Sequence, residues 1–246
     1  MVFNLCVGGL DKRKRPPRFV CSGTLGTDYL YAEETAADGT VNWELAFLKS
    51  CSVTFSRVPD ADLFLVAGGN PGSGGNGGRG GNRLTLRAVK IDANVEYTVT
   101  IGGSGAPTSA GSASTADSGA ESGAAGGYGG WVESGGQHHA TAGGNGAYAF
   151  GESTSMIPQL SGRRYAPGGG GGGFRNEAWV YANNAAGGTT GGGVGGSLNS
   201  KNGGNGDGNT GSGGGGRCRD TQEGDGNVGA GGSGIVILRN ARGEGA

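Results

Sequence analysis

The sequence predicts an all-β protein: β-sandwich-like strands with an inserted array of polyglycine-II helices and essentially no α-helix. Three observations lead there. Glycine supplies 61 of the 246 residues, far above its usual share of about 7%, and glycine is a poor helix former. The excess starts abruptly, with five glycines before Gly68 and fifty-six from there on. Within the rich stretch glycine recurs in GGx triplets, and between the tracts short runs alternate apolar and polar residues with the period of a strand. Collagen needs a strict glycine period and about 15–20% proline, which 7 prolines exclude. Glycine-rich disorder is the competing reading, because 34% hydrophobic residues is a thin supply for a core.

Taken in order, Met1–Leu10 is partly apolar, but the charges of Asp11–Arg18 follow it, the reverse of a secretory signal. Lys12–Arg18 (KRKRPPR) is the densest charge cluster. It stands alone, with no aromatic interleaving, so it reads as a solvated arm or docking segment and not as a nucleic-acid site. Leu45–Phe47, Val53–Phe55 and Leu63–Val66 read as strands, punctuated by Lys49–Ser50 and Pro59–Asp60. The run Leu63–Val66 is continuously apolar and predicts a strand covered on both faces.

From Gly74 the register is GGx: Gly74-Gly75-Asn76, Gly77-Gly78-Arg79, Gly80-Gly81-Asn82. Period three matches a polyproline-II-type helix, which has no internal hydrogen bonds. Its backbone groups must then bond to neighbouring chains. Two faces without side chains permit that approach, and the third carries Asn76, Arg79 and Asn82. The glycine-free block Arg83–Ile101 follows, with Leu84, Leu86 and Ala88, then Val95, Tyr97, Val99 and Ile101, in alternation around Asp92-Ala93-Asn94. It predicts a β-hairpin.

Residues 102–233 alternate tracts (Gly126–Trp131, Gly168–Gly173, Gly191–Gly196, Gly203–Gly216) with inserts (Gln137–Ala142, Ala147–Pro167, Phe174–Ala186, Ser197–Asn202, Arg217–Glu223). Ile235–Leu238 closes the series as a strand.

Several chemistries are imitated by this composition and set aside. Gly72–Gly77 matches GxGxxG after a strand, but strand-like alternation follows it where a helix should receive the pyrophosphate. There is no GK[ST], GxSxG or HExxH. Gly203–Asn209 approximates a calcium nonapeptide with its aspartate one place early, and Gly224–Val228 is looser still. His138-His139 reads as an exposed polar turn, since adjacent side chains on extended backbone point apart. No catalytic residue, metal site or cofactor is expected. The net charge of −1 favours neither nucleic acid nor an acidic surface. The longest apolar run, Leu63–Ala67, falls far short of the roughly 20 residues of a membrane span. Cys6, Cys21, Cys51 and Cys218 show no CxxC spacing and read as buried thiols of a reducing compartment, with a single disulfide left open.

Tyr128, Trp131, Tyr148, Phe150, Tyr165, Phe174, Trp179 and Tyr181 fall beside or between the tracts. Some must cover the array, and others on exposed inserts suit recognition, because Tyr and Trp give large contact area at low entropy cost. Tyr128, Trp131, His138, His139, Tyr148, Phe150, Trp179 and Tyr181 are the candidate contact residues.

The segments Asn42–Phe55, Ala61–Gly69, Val95–Gly105, Tyr165–Phe174 and Gly231–Arg239 occur in an order that resembles glycine-rich minor structural, tail-tip and tail-fibre proteins of bacteriophages. The chain is similar to the polyglycine-sandwich adhesins of phage tail fibres. Its tract pattern is also similar to the glycine-rich domain of anaplastic lymphoma kinase, though without a comparable secretory or membrane segment. The resemblance implies a virion component without a catalytic role, assembled in the host cytoplasm. It further implies a sandwich of Leu63–Val66, Arg83–Ile91, Val95–Ile101 and Ile235–Leu238 from which the array projects. Its implied partners are other virion proteins and a bacterial surface receptor, protein or glycan; self-association is left open. Residues 1–41 match poorly and are assigned to docking, 42–240 to the glycine-rich domain (insert about 102–233), and 241–246 to a tail.

Overall fold

A computed structural model of the chain describes residues 16–57, 60–133, 136–175, 180–181, 185–188 and 191–241. Its first strands are β1 (Arg18–Cys21), β2 (Tyr29–Thr35), β3 (Val41–Phe47), β4 (Cys51–Arg57), β5 (Ala61–Val66) and β6 (Arg83–Val89). β7 (Glu96–Thr100), β8 (Ser109–Ala110) and β9 (Ala113–Ser114) follow. Short strands β10 (Trp131–Glu133), β11 (Gly136–His138), β12 (Ala147–Tyr148), β13 (Arg164–Tyr165), β14 (Phe174–Arg175), β15 (Val180–Tyr181) and β16 (Arg219–Asp220) edge the tracts. β17 (Ile235–Asn240) ends the series. The only helical turns among the described residues are two 3-10 turns in the insert after β12, as the glycine content requires.

Two five-stranded sheets face each other, one ordered β2-β3-β17-β5-β6 and the other β1-β4-β7-β8-β9. All their pairings are antiparallel. Alternation on each strand sends Trp43, Leu45, Phe47, Leu63, Leu65, Val236 and Leu238 inward against Val53, Phe55 and Val99 of the second sheet. The opposite face of the first sheet is also covered. Ala46, Phe64, Val66, Ile235 and Ile237 pack against Phe150, Ile157, Leu160 and Tyr165 of the Ala147–Pro167 insert. Double coverage is why Leu63–Val66 reads as an unbroken apolar run.

One expectation is corrected. Arg83–Ile101 is not a hairpin: β6 pairs with β5 in one sheet, and β7 pairs with β4 and β8 in the other. Alternation identifies a strand but not its partner, and Leu84 and Val99 enter one core from opposite sheets instead of lying side by side. Residues assigned to a docking segment also build the sandwich, since β1 is an edge strand of one sheet and β2 of the other. Phe19 packs edge-on against Tyr29 and Tyr31 and at a tilt against Phe55 there. Of the basic cluster, Lys12–Arg15 lies outside the described residues.

The tracts are ordered by backbone bonding with a period of three. In Gly168–Gly173 the successive amides donate to Gly144, Gly78, Gly193, Thr141, Gly75 and Gly196, at 2.7–3.1 Å. Their carbonyls accept from Gly188, Gly127, Gly216, Ala185, Gly130 and Arg219. Donors three apart thus reach the same neighbour (Gly168 and Gly171 to 141–144, Gly169 and Gly172 to 75–78, Gly170 and Gly173 to 193–196). Acceptors repeat likewise, so six segments surround this one. A β-strand alternates between two neighbours; this segment rotates among six. Every backbone group is satisfied although the tract is fully buried. Ser212–Cys218 is surrounded similarly, donating to 167–170 and 201–204 and accepting from 193–196 and 226–232. A Cβ built at any of Gly168–Gly172 would lie within 3.0 Å of a backbone carbonyl, that of Ala125, Gly214, Ala185, Tyr128 or Arg217. Side chains are excluded by the backbone itself.

Candidate functional site

The array has two ends. At the sandwich end Val66, Arg83, Ile235 and Tyr165 continue directly into tracts. At the far end lie the Ser73–Asn76 turn, the β10–β11 ribbon, the β14–β15 ribbon and the Arg217–Asp225 segment. Bonds from Gly130 to Gly172 and from Gly173 to Gly196 hold the bases of these elements at one level. The backbones of inserts distant in sequence therefore meet at one end of the array.

Tyr128 stands at the base of the first ribbon, 72% exposed. Its amide donates to Thr141 Oγ1 and its carbonyl accepts from the Thr141 amide, so the exposed ring hangs on a fixed backbone. Trp131 and His138 are directly opposed across β10 and β11. The histidine pair is thus not a turn: His138 ends a strand and His139 follows it, exposed. In the second ribbon Tyr181 is opposed to Phe174, and Trp179 lies outside the described residues. Arg219 stacks at 6.0 Å over Phe174.

The remaining two candidates lie elsewhere. Tyr148 is half-buried under Arg164, whose guanidinium sits 4.4 Å from the ring centre. Phe150 is buried and belongs to the core, a correction to its assignment as a contact residue. The Arg239 and Arg87 guanidiniums lie 4.2 and 5.4 Å from its ring centre, and Phe64 packs at 5.6 Å. Arg87 also bonds Asp62 at 2.6 Å and the Phe150 carbonyl at 3.1 Å, while Arg239 pairs with Asp62 and Glu152. Glu44 accepts from Ser155 Oγ and the Met156 amide. The Ala147–Pro167 insert is therefore a lid fastened to the sandwich and not a free loop. Buried charge of this kind is tolerated only because each group is paired.

An ionic cluster stiffens the far end. Asp220, on β16, bonds Arg175 of β14 at 2.7 Å and Lys201 at 3.3 Å, and both cations also reach Glu223. Burial opposes ionisation of Asp220, but Arg175 and the Gln222 and Glu223 amides outweigh it and hold the carboxyl well below its ordinary value. The signal available in the sequence was the Asx-turn pattern Asp220-Thr221-Gln222-Glu223-Gly224.

The segments that imitate nucleotide and calcium motifs take part in the array's backbone bonding. The amides of Gly72 and Gly77 donate to Gly229 and Gly127, leaving none for a phosphate at the two ends of the GxGxxG match. The Asp207 amide donates to Gly191. Among the described residues no three His, Cys, Asp or Glu side chains are placed to hold a metal, and no helix is long and apolar enough to cross a membrane.

No curated protein and no solved structure matches the chain. A family model described as a glycine-rich domain matches residues 49–241, the span that holds most of the sandwich and the whole array. The protein belongs to the glycine-rich domain family.

Proposed function

We propose that the tracts are polyglycine-II helices and that the protein is a non-enzymatic phage virion component. It acts as a tail-tip or tail-fibre adhesin, gripping a bacterial surface receptor with the far end of the array. The observation that carries this reading is the convergence of Tyr128, the Trp131–His138 pair and the Phe174–Tyr181 pair on one end of a backbone-bonded scaffold. A rigid body that presents short aromatic-bearing ribbons is the arrangement of a binding module. Hydrogen bonds and ring contacts to a surface protein or glycan carry recognition, and no covalent step is needed.

Labelled full-length protein is tested for adsorption to a panel of bacterial strains, beside Tyr128→Ala. The reading expects binding to a subset of strains and at least a tenfold loss in the variant, with an unchanged melting temperature. Binding to no strain, with the chain located inside the particle, favours a head or tail connector instead. Release of sugars from surface polysaccharide contradicts both.

A further inference from the structure

Cys21 and Cys51 lie on neighbouring strands β1 and β4, with their sulfur atoms 3.5 Å apart. Cys21 is opposed to Val53, so Cys51 is its diagonal neighbour, one ladder step beyond the Ser22–Ser52 contact. That contact is doubled: the Ser22 amide donates to the Ser52 carbonyl at 3.0 Å, and the Ser52 amide donates to Ser22 Oγ at 2.9 Å. Cys21 and Cys51 are half-buried, whereas Cys218 is fully buried. β1 is a four-residue edge strand with one hydrogen-bonded neighbour, and edge strands of that length are weakly held.

We propose that Cys21 and Cys51 form a thiol–disulfide exchange site whose oxidised state fastens the edge strand to the sandwich. The oxidant is a small-molecule disulfide. The Cys21 thiolate attacks one of its sulfurs, the new S–S bond forms as the old one breaks, and one reagent thiolate leaves. Cys51 then loses its proton to solvent and attacks the Cys21 sulfur of the mixed disulfide, expelling the second reagent thiolate. The protein loses two electrons and two protons, and the reagent disulfide becomes two thiols. Attack starts at Cys21 because burial, followed by the neighbouring Cys21 thiol, pushes Cys51 up to about 12, and the second of these causes is removed once Cys21 carries the reagent sulfur. The two sulfurs approach bonding distance through a small movement of the β1 end, where the chain leaves the strand at Ser22 and Gly23.

Full-length protein is incubated with oxidised glutathione, alkylated and cut with trypsin. Cleavage after Arg18, Lys49 and Arg57 places the two residues on separate peptides, Phe19–Lys49 and Ser50–Arg57, with Cys6 on a third. The proposal expects those two peptides joined and two hydrogens lighter, with two of the four thiols consumed. The same product is expected in Cys6→Ser, and none in Cys51→Ser. Amide exchange at Val20 and Ser22 should slow about tenfold on oxidation, and not at all in oxidised Cys51→Ser. Stable glutathione adducts on unjoined peptides, or linkage of Cys21 to Cys6 alone, overturn the site. A joined pair without slower exchange overturns the fastening of β1.

Discussion

Gly172 donates its amide hydrogen to the carbonyl of Gly75 at 2.7 Å, three residues after Gly169 makes the same bond to Gly78. The two segments run antiparallel and touch only at every third residue, leaving the intervening amides for two other neighbours. Such contact distances leave no room for a methyl group. Gly171→Ala places a Cβ against the Tyr128 carbonyl and is expected to cost roughly 2–4 kcal/mol. Gly103→Ala meets nothing within 4 Å and should melt within a degree or two of the parent. Paired thermal melts check the contrast; equal effects at both positions would mean the tracts are not packed backbone to backbone.

Asparagine at the third triplet position serves as a rung. Asn202 Oδ1 accepts from the Asn227 amide and Asn205 Oδ1 from the Ala230 amide, a repeat of three on both segments. Asn76 Oδ1 does the same for Gly129. Asn76→Ala strands that amide beside the Tyr128 ribbon and is expected to cost about 1 kcal/mol. Denaturant midpoints measure it, and Asn76→Asp, which keeps an acceptor, should recover most of the loss.

The lid over the first sheet is held by charge as well as by apolar contact. Phe150→Ala empties a site lined by Phe64 and two guanidiniums and should cost about 3 kcal/mol. Asp62→Ala leaves the buried Arg239 without its strand partner and should cost roughly 3–5 kcal/mol. Chemical denaturation checks both. Deleting Ala147–Pro167 should prevent folding, since the insert covers a sheet face.

The far-end cluster makes stability depend on acid. Unfolded Asp220 takes up its proton near 3.8, whereas the folded group, held lower by its partners, does not. The stability it contributes is complete above that value and falls as pH drops through and below about 4. Melting temperature measured between pH 7 and pH 2.5 should fall in that window. Asp220→Asn should be less stable at pH 7 and show a smaller fall.

Much of this architecture was legible because it follows from local chemistry. The Gly74–Asn82 triplets announced bonding to several neighbours, and the run Leu63–Val66 announced a doubly covered strand. Pairing partners were not legible. Leu84 and Val99 alternate as well in two sheets as in one hairpin, and only the closing of the core separates them. The role of Phe150 was hidden for a similar reason: its cover comes from Arg87 and Arg239, distant in sequence and silent about their target. At the far end the Trp131–His138 pairing was invisible, because two adjacent histidines carry no mark of strand register.

Gly168–Gly173 sits inside six neighbouring segments with every amide bonded. Residue-resolved amide hydrogen exchange by NMR reads this bonding one residue at a time. Six consecutive glycine amides, all slowed to the rate of the β3–β17–β5 core and without alternation, is the predicted result. Exchange at the unprotected rate, or a fast-and-slow alternation with period two, would contradict it.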